Sequence, residues 1–252
     1  MLSVAQNKMQ ALNATTSVIP FGQELNPETY ATCCSDMILK GNTNSRIVLG
    51  NSFNEDGFQG QTFDYMLSNP PFGVEWKKVE KFIKDEAKNK GYSGRFGAGL
   101  PRISDGSFLF LQHLISKMNA PENGGSRIGI VFNGSPMFSG DAGSGESEIR
   151  RWIIESDLLE AIIGLPDQLF YNTGITTYIW ILTNRKENRR KGKVRLINGA
   201  GFYEKIISEI WSARKTEQKL FVCTALMNRT KITWIWTMMI LAIGKSLWSV
   251  LR

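Results

Sequence analysis

"FDYMLSNPPFG", residues 63–73, is the stretch on which the reading of this chain turns. Its first seven residues suit a buried strand, and that strand runs straight into two prolines. Proline has no N–H to give to a ladder, so the strand has to end at Asn69. Asn69, Pro70, Pro71 and Phe72 therefore stand in a row at a strand tip. A plain explanation exists, because Asn–Pro opens turns and every strand ends somewhere. Yet a Ser/Asp/Asn–Pro–Pro–aromatic string arises by chance in only about 1% of chains this long at ordinary composition. It also falls where open α/β sheets build their sites.

The chemistry that needs these residue types together is methylation of an exocyclic amine. Such a nitrogen is conjugated into its ring and is a poor nucleophile, and its neutral form has no easily removed proton. Two acceptors placed on its N–H groups draw it towards a tetrahedral shape and free the lone pair. The Asn69 side-chain oxygen is one acceptor, and the Pro70 carbonyl, stiffened by the diproline, is the second. An amide orients the amine without forming an ion pair beside a cationic methyl donor. Phe72 offers a face on which a base swung out of its duplex can stack.

Working outward, 252 residues allow one large domain or two small ones with a real core. A hydrophobic share of 42% and a charged share of 21% are ordinary for a globular protein. Cys33, Cys34 and Cys223 are too few and too poorly spaced for a disulfide framework or a zinc cage, which points to a reducing, cytoplasmic setting. The N-terminal residues lack the basic-then-apolar pattern of a signal peptide. Of the net charge of +7, residues 206–252 carry seven basic against two acidic groups. The block "RKENRRKGKVR" (185–195) reads either as a phosphate-contacting patch or as a solvated loop between strands.

Short apolar runs alternate with helical patterns, which predicts an α/β domain with a mostly parallel sheet. Strands are expected at 17–25, 46–51, 63–69, 126–134, 158–166, 176–184 and 193–198, and helices at 2–12, 27–40, 74–90, 105–119 and 145–156. "NPETYATCCSDMILKG" opens on Asn–Pro and closes on Gly41, a well-punctuated helix. "GESEIRRWIIESD" carries Ser147 and acidic residues in its first turn, as the helix dipole prefers. Two long polar, glycine-rich segments, 91–104 and 133–145, are expected to follow strands and border one cleft with the Asn69 motif.

With the motif placed, the chain resembles the modification (methyltransferase) subunit of type I restriction–modification systems, an adenine-N6 DNA methyltransferase. The matching pieces run in order: "FGQELNPETYA", "LGNSF", "FDYMLSNPPFGVEWKKVE", "GRFGAGLPRISDGSFLFLQHLISKM", "GGSRIGIVFNGSPMFSG" and "GSGESEIRRWIIESDLLEAIIGLPDQLFYNTGITTYIWILTNRK". The resemblance implies a Rossmann-like methyltransferase sheet, S-adenosylmethionine as donor and DNA as substrate. It also implies a separate specificity subunit that reads the sequence, and a restriction subunit. It places the flipped adenine on Asn69, Pro70, Pro71 and Phe72, the cofactor ribose on Glu24 and the cofactor adenine beside Asn51. From sequence alone Glu24 reads equally as a helix-capping or solvent-exposed acid, and Asn51 reads better as a plain turn residue.

Two departures stand out. Family members carry a D-P-x-x-G-T-G-G type loop directly before residues like "MLSVA", and here "MLSVA" is where the sequence starts. "GRFGAGLPR" and "GDAGSGES" do not replace that loop, because neither fits G-x-G-x-x-G. The first strand and the glycine loop are thus expected to be absent, which would leave two strand edges unpaired. The second departure begins after about Lys205. "MMILAIGKSLWSVL", back-translated and read from the third base, gives DDFGYRKITVERPL, a string like the family's usual continuation. This implies a frameshift between about 206 and 237, a partial methyltransferase domain over 1–205 and a non-homologous tail over 206–252 without a coherent core. The tail's apolar run, about 12 residues, is too short to span a bilayer, which needs about 20.

Other residues take smaller parts. His113, the only histidine, reads as a helix-buried or helix-edge residue rather than a catalytic one. "GSGES" is not a nucleophile elbow, and no cluster has metal-ligand spacing. Asp105 and Ser107 read as a helix start that also lines the cleft, whereas "FYNTGITT" is expected to position a loop near the cleft and carries no assigned chemistry. Two rival functions remain from the residues: methylation of protein glutamine by the same motif, and a non-catalytic assembly module that docks on a specificity subunit.

Overall fold

The computed structural model of the protein describes residues 1–167, 169–170, 174–210 and 213–220. The chain divides into two compact units, with the boundary between Gln61 and Thr62. The first holds α1 (Leu2–Leu12), β1 (Phe21–Glu24), α2 (Pro27–Leu39) and β2 (Arg46–Leu49), with β1 and β2 parallel and Glu24 level with Leu49. Helix α2 starts as its sequence dictates. The Asn26 side chain accepts the N–H groups of Glu28 and Thr29 at 2.9 and 3.1 Å, and Pro27 takes the first helical position, where a missing N–H is harmless. The segment after β2 folds back onto β1: Gln23 donates to the Glu55 carbonyl at 2.6 Å and accepts from the Gly57 N–H at 3.2 Å.

The second unit is built on five strands: β3 (Tyr65–Ser68), β4 (Arg127–Phe132), β5 (Leu159–Gly164), β6 (Tyr178–Thr183) and β7 (Arg195–Asn198), in the order β3-β4-β6-β5-β7. Its helices are α3 (Glu80–Lys90), α4 (Ser107–Ile115), the single turn α5 (Ser135–Phe138) and α6 (Gly145–Glu155). Each strand and helix expected from the sequence is present near its expected place. Strands β3, β4, β5 and β7 run the same way, while β6 is antiparallel to both β4 and β5. Among the described residues β1 pairs with β2 alone and β3 with β4 alone, so each has an edge without a strand neighbour.

The sheet's burial explains its sequence. All six residues of β4 are buried, as are the last five of β6, which is why both read as unbroken apolar runs. On one face Ile128, Ile130 and Phe132 meet Phe108 and Leu111 of α4, Ile149 and Ile153 of α6, and Trp180 and Leu182 of β6 in a single cluster. Phe108, Phe132 and Trp180 contact one another edge-to-face with centroids 5.3–6.2 Å apart.

Two details depart from expectation. The segment 91–104 leaves α3 through a 3₁₀ turn, not a strand. An unforeseen antiparallel hairpin, β8 (Tyr203–Ile210) and β9 (Ala213–Leu220), forms a sheet of its own at the start of the expected tail. Residues 221–252, with Cys223, the apolar run and most of the expected frameshift interval, lie outside the described residues. No helix among the described residues is long and apolar enough to cross a membrane. The basic block 185–195 lies between β6 and β7, at the end of the sheet opposite the Asn69 motif. Four of its cations hold structure there. Arg185 binds the Gly124 carbonyl, Lys186 binds Asp157, Arg189 binds Glu187 and Arg190 binds the Glu160 carbonyl. The block is a structured loop.

At that same end a β-bulge puts Glu160 out of the ladder, and its carboxylate reaches across β6 to Arg127 at 2.9 Å. The two side chains are 7% and 6% exposed. Removing one member leaves the other buried and unpaired, so Glu160→Ala is expected to lower unfolding free energy by about 3–5 kcal/mol. Arg127→Met combined with Glu160→Leu is expected to restore most of it. Urea titrations of the three proteins check this, and a single variant within 1 kcal/mol, roughly, of wild type would contradict it.

Candidate active site

In the first unit, the carboxyl ends of β1 and β2 bring Glu24 and Asn51 together: the Gly50 N–H donates to the Glu24 carbonyl at 2.9 Å. One Glu24 oxygen accepts the Asn26 N–H at 2.9 Å, and the other has no partner among the described residues. The Asn51 side-chain oxygen accepts the Phe53 N–H at 3.0 Å and shapes the turn that follows, leaving its amide N–H groups available.

In the second unit, Asn69 follows the last residue of β3, where Ser68 is level with Ile130 of β4. Asn69 and Pro71 are exposed, Phe72 is half-buried and Pro70 is buried. Among the described residues neither the Asn69 side chain nor the Pro70 carbonyl has a hydrogen-bond partner, so both acceptors at this tip are uncommitted. Phe72 meets Phe170 edge-to-face, with centroids 6.5 Å apart. Phe170 opens the "FYNTGITT" segment in the loop after β5, the segment expected near the cleft, although its pairing with Phe72 carried no sequence signal.

Beyond Gly73, at φ +65°, the chain is clamped. The Val74 carbonyl accepts the Gly106 N–H at 2.8 Å, the Trp76 N–H donates to the Ile103 carbonyl at 3.0 Å, and the Trp76 indole donates to the Arg102 carbonyl at 2.9 Å. Segment 102–106 thus lies along the residues that follow the motif, and the loop after β4 leaves the same end of the sheet. These two polar loops border the motif, as expected. Gly145 permits the approach of the first loop to α6, because a Cβ there would fall 1.7 Å from the Leu100 carbonyl oxygen.

A buried polar knot joins these loops. One Asp105 oxygen accepts the N–H and hydroxyl of Ser107 at 3.1 and 2.6 Å, and the other accepts the Ser135 hydroxyl at 2.6 Å. The Arg102 guanidinium donates to Ser135 at 2.8 Å, and the Arg102 N–H donates to the buried Glu146 carboxylate at 2.9 Å. Asp105, Ser107, Ser135 and Glu146 line a small pocket with Pro101 and Pro136. Burial pushes the Asp105 carboxyl up, but the Ser107 and Ser135 hydroxyls, the Ser107 N–H and the Arg102 charge together hold it below the usual carboxylate range. His113 is half-buried on α4, and its Nδ1 lies 3.2 Å from the Arg95 guanidinium. Since arginine only donates, Nδ1 accepts and the ring proton sits on Nε2, a structural role.

The N-6 DNA Methylase family profile matches residues 1–241, past Lys205. The methylase subunit of the type I restriction enzyme MjaIX of Methanocaldococcus jannaschii is 29% identical over 186 residues, covering 74% of this chain and 32% of that protein. The HindI methylase subunit of Haemophilus influenzae is 32% identical over 180 residues, covering 71% of this chain and 37% of that one. A crystal structure of a type I restriction–modification methyltransferase subunit from Streptococcus thermophilus superposes with a TM-score of 0.64 at 27% identity, over 90% of this chain and 42% of that one. The chain spans about a third of the length of the curated relatives it matches.

The Asp105 knot yields a pH-dependent expectation. A carboxyl held below its unfolded value near 3.9 stabilises the fold fully above that value, and the contribution fades as pH falls through the depressed folded value. Asp105→Asn is expected to cost about 1.5–3 kcal/mol at pH 7. Its gap to wild type should close as pH drops below about 4. Melting curves from pH 7 to 3 test this, and a gap constant with pH would contradict it.

Proposed function

The chain belongs to the N-6 DNA methylase family, and on that premise we propose that it carries the amine-activating part of an adenine-N6 DNA methyltransferase. The observation that carries this reading is the pair of uncommitted acceptors at the tip of β3, the Asn69 side-chain oxygen and the Pro70 carbonyl, beside the Phe72 ring. Asn69 and Pro70 would each accept one N–H of the adenine amine, drawing N6 out of conjugation so that its lone pair can attack. Preorganised acceptors of this kind act because they are already aligned where the amine changes shape. Phe72, held by Phe170, would stack on the flipped base. N6 would gain the methyl group as the methyl's bond to the donor sulfonium breaks and leaves a neutral thioether, and one N6 proton would pass to water, so no strong base is required.

S-adenosylmethionine supplies an electrophilic methyl on a sulfonium sulfur. Glu24 fits its ribose, since a carboxylate oxygen without a described partner can take hydroxyl donors, and the spare Asn51 N–H groups fit its adenine. Neither glycine-rich string stands where a strand gives way to a helix: 94–99 follows a 3₁₀ turn and 140–145 follows α5. The contacts supplied by these residues therefore stop at the adenosine half, and the cofactor is expected to bind this chain weakly. The names of the relatives support the same setting for this chain, with a specificity subunit to read DNA and a restriction subunit as partners. That assignment extends the methyltransferase reading to a type I modification subunit.

The test is transfer of labelled methyl from S-adenosylmethionine to DNA or to protein, with a specificity subunit supplied. Label is expected in DNA adenine, and Asn69→Ala should slow transfer by about 10²–10³-fold without lowering the melting temperature. Label confined to protein, or transfer indifferent to Asn69, would sink the reading. Calorimetric titration of this chain with S-adenosylmethionine should show weak binding, and tight binding would refute the incomplete cofactor site.

A further inference from the structure

The loop after β4 presents one feature that the amine chemistry does not use. Phe138, the last residue of α5, is 77% exposed although it leaves the same end of the sheet as Asn69 and from the neighbouring strand. Adjacent strands lie about 4.8 Å apart, so this loop starts within one strand spacing of the motif. Its segment is firmly held. The Arg150 guanidinium on α6 donates to the carbonyls of Pro136, Ser139 and Gly140 at 3.2, 2.6 and 3.2 Å. The Ser135 N–H is held by the Asn133 side chain at 3.0 Å and its hydroxyl by Asp105 at 2.6 Å.

The ring itself leans on bare backbone, because a Cβ on Gly134 would meet it at 3.5 Å. The Arg102 guanidinium, half exposed, sits on Ser135 at the start of the same helical turn. A rigidly presented aromatic with a cation beside it, at the tip of the strand next to a base-binding motif, is the combination that binds nucleic acid by stacking plus charge. Its natural counterpart is created by the reaction, since a base leaving the helix uncovers the apolar faces of its neighbours.

We infer that Phe138 is a DNA-contacting residue that covers a base face uncovered when the target adenine swings out, with Arg102 on the adjoining phosphate. This rests on the DNA reading above and deepens it. The test uses the full chain together with a specificity subunit and randomised duplexes in which 5-iodouracil replaces thymine, irradiated and digested with trypsin. The crosslink is expected on the peptide from Ile128 to Arg150, at Phe138. Phe138→Ala should lose it and bind DNA roughly 5- to 100-fold more weakly, with an unchanged melting curve. Leu196→Ala, which trims another exposed apolar side chain (75%) on β7, should leave binding and crosslink intact. Crosslinks confined to the peptide from Ile47 to Lys77, which holds the Asn69 motif, would overturn the Phe138 assignment while sparing the DNA reading. Crosslinks confined to the basic block 185–195, or wild-type affinity in Phe138→Ala, would likewise overturn the Phe138 assignment. Absence of any crosslink between this chain and DNA in that assembly would overturn both.

Discussion

The antiparallel ladder between β4 and β6 is the constraint on which the second unit depends. Six residue pairs, from Arg127 opposite Thr183 to Phe132 opposite Tyr178, lock the two most buried strands together. A slip of one residue would turn Ile128, Ile130 and Phe132 away from α4 and α6, and the Phe108–Phe132–Trp180 contacts would go with them. That penalty fixes the level of β4, and the parallel pairing of Ser68 with Ile130 then fixes the level of β3. Asn69 stands at the strand tip because a hydrophobic ladder one strand away cannot shift.

The two ends of this sheet do different work with similar polar chemistry. At the end away from the motif, charges serve the fold: Arg127 and Glu160 neutralise each other in the interior, and Asp157, Lys186 and Arg190 pin the basic loop. At the motif end the polar groups brace loops. Asp105, Ser135, Arg102, Glu146 and Arg150 hold backbone segments that have no ladder of their own, and each bond to a charged partner contributes about 1.5–3 kcal/mol. Within that braced rim the Asn69 amide and the Pro70 carbonyl stay uncommitted. The contrast separates groups engaged by the fold from acceptors it leaves uncommitted.

Particular elements show how far the sequence could be read. Helix α2 was legible from Asn26–Pro27 because capping is local, and β4 from "RIGIVF" because a strand buried on both faces must be apolar throughout. The direction of β6 was not legible, since "YIWILT" buries itself equally well either way. The role of "RKENRRKGKVR" was open for a similar reason: charge density does not reveal which cations will meet a carbonyl. The contacts made by Phe170 and Arg150 left almost no local trace, because each acts on a residue from another segment.

By itself the sequence determined the α/β class, the order of the elements and the Asn69–Phe72 motif, because periodicity, capping and proline's missing N–H act over a few neighbouring residues. Only the tertiary structure decided which strand neighbours which and which polar groups the fold consumes. It also decided that Phe72 meets Phe170 and that Phe138 stands braced in water. Those outcomes come from contacts between residues tens of positions apart, and which of many such contacts form is settled by the packing of the whole unit.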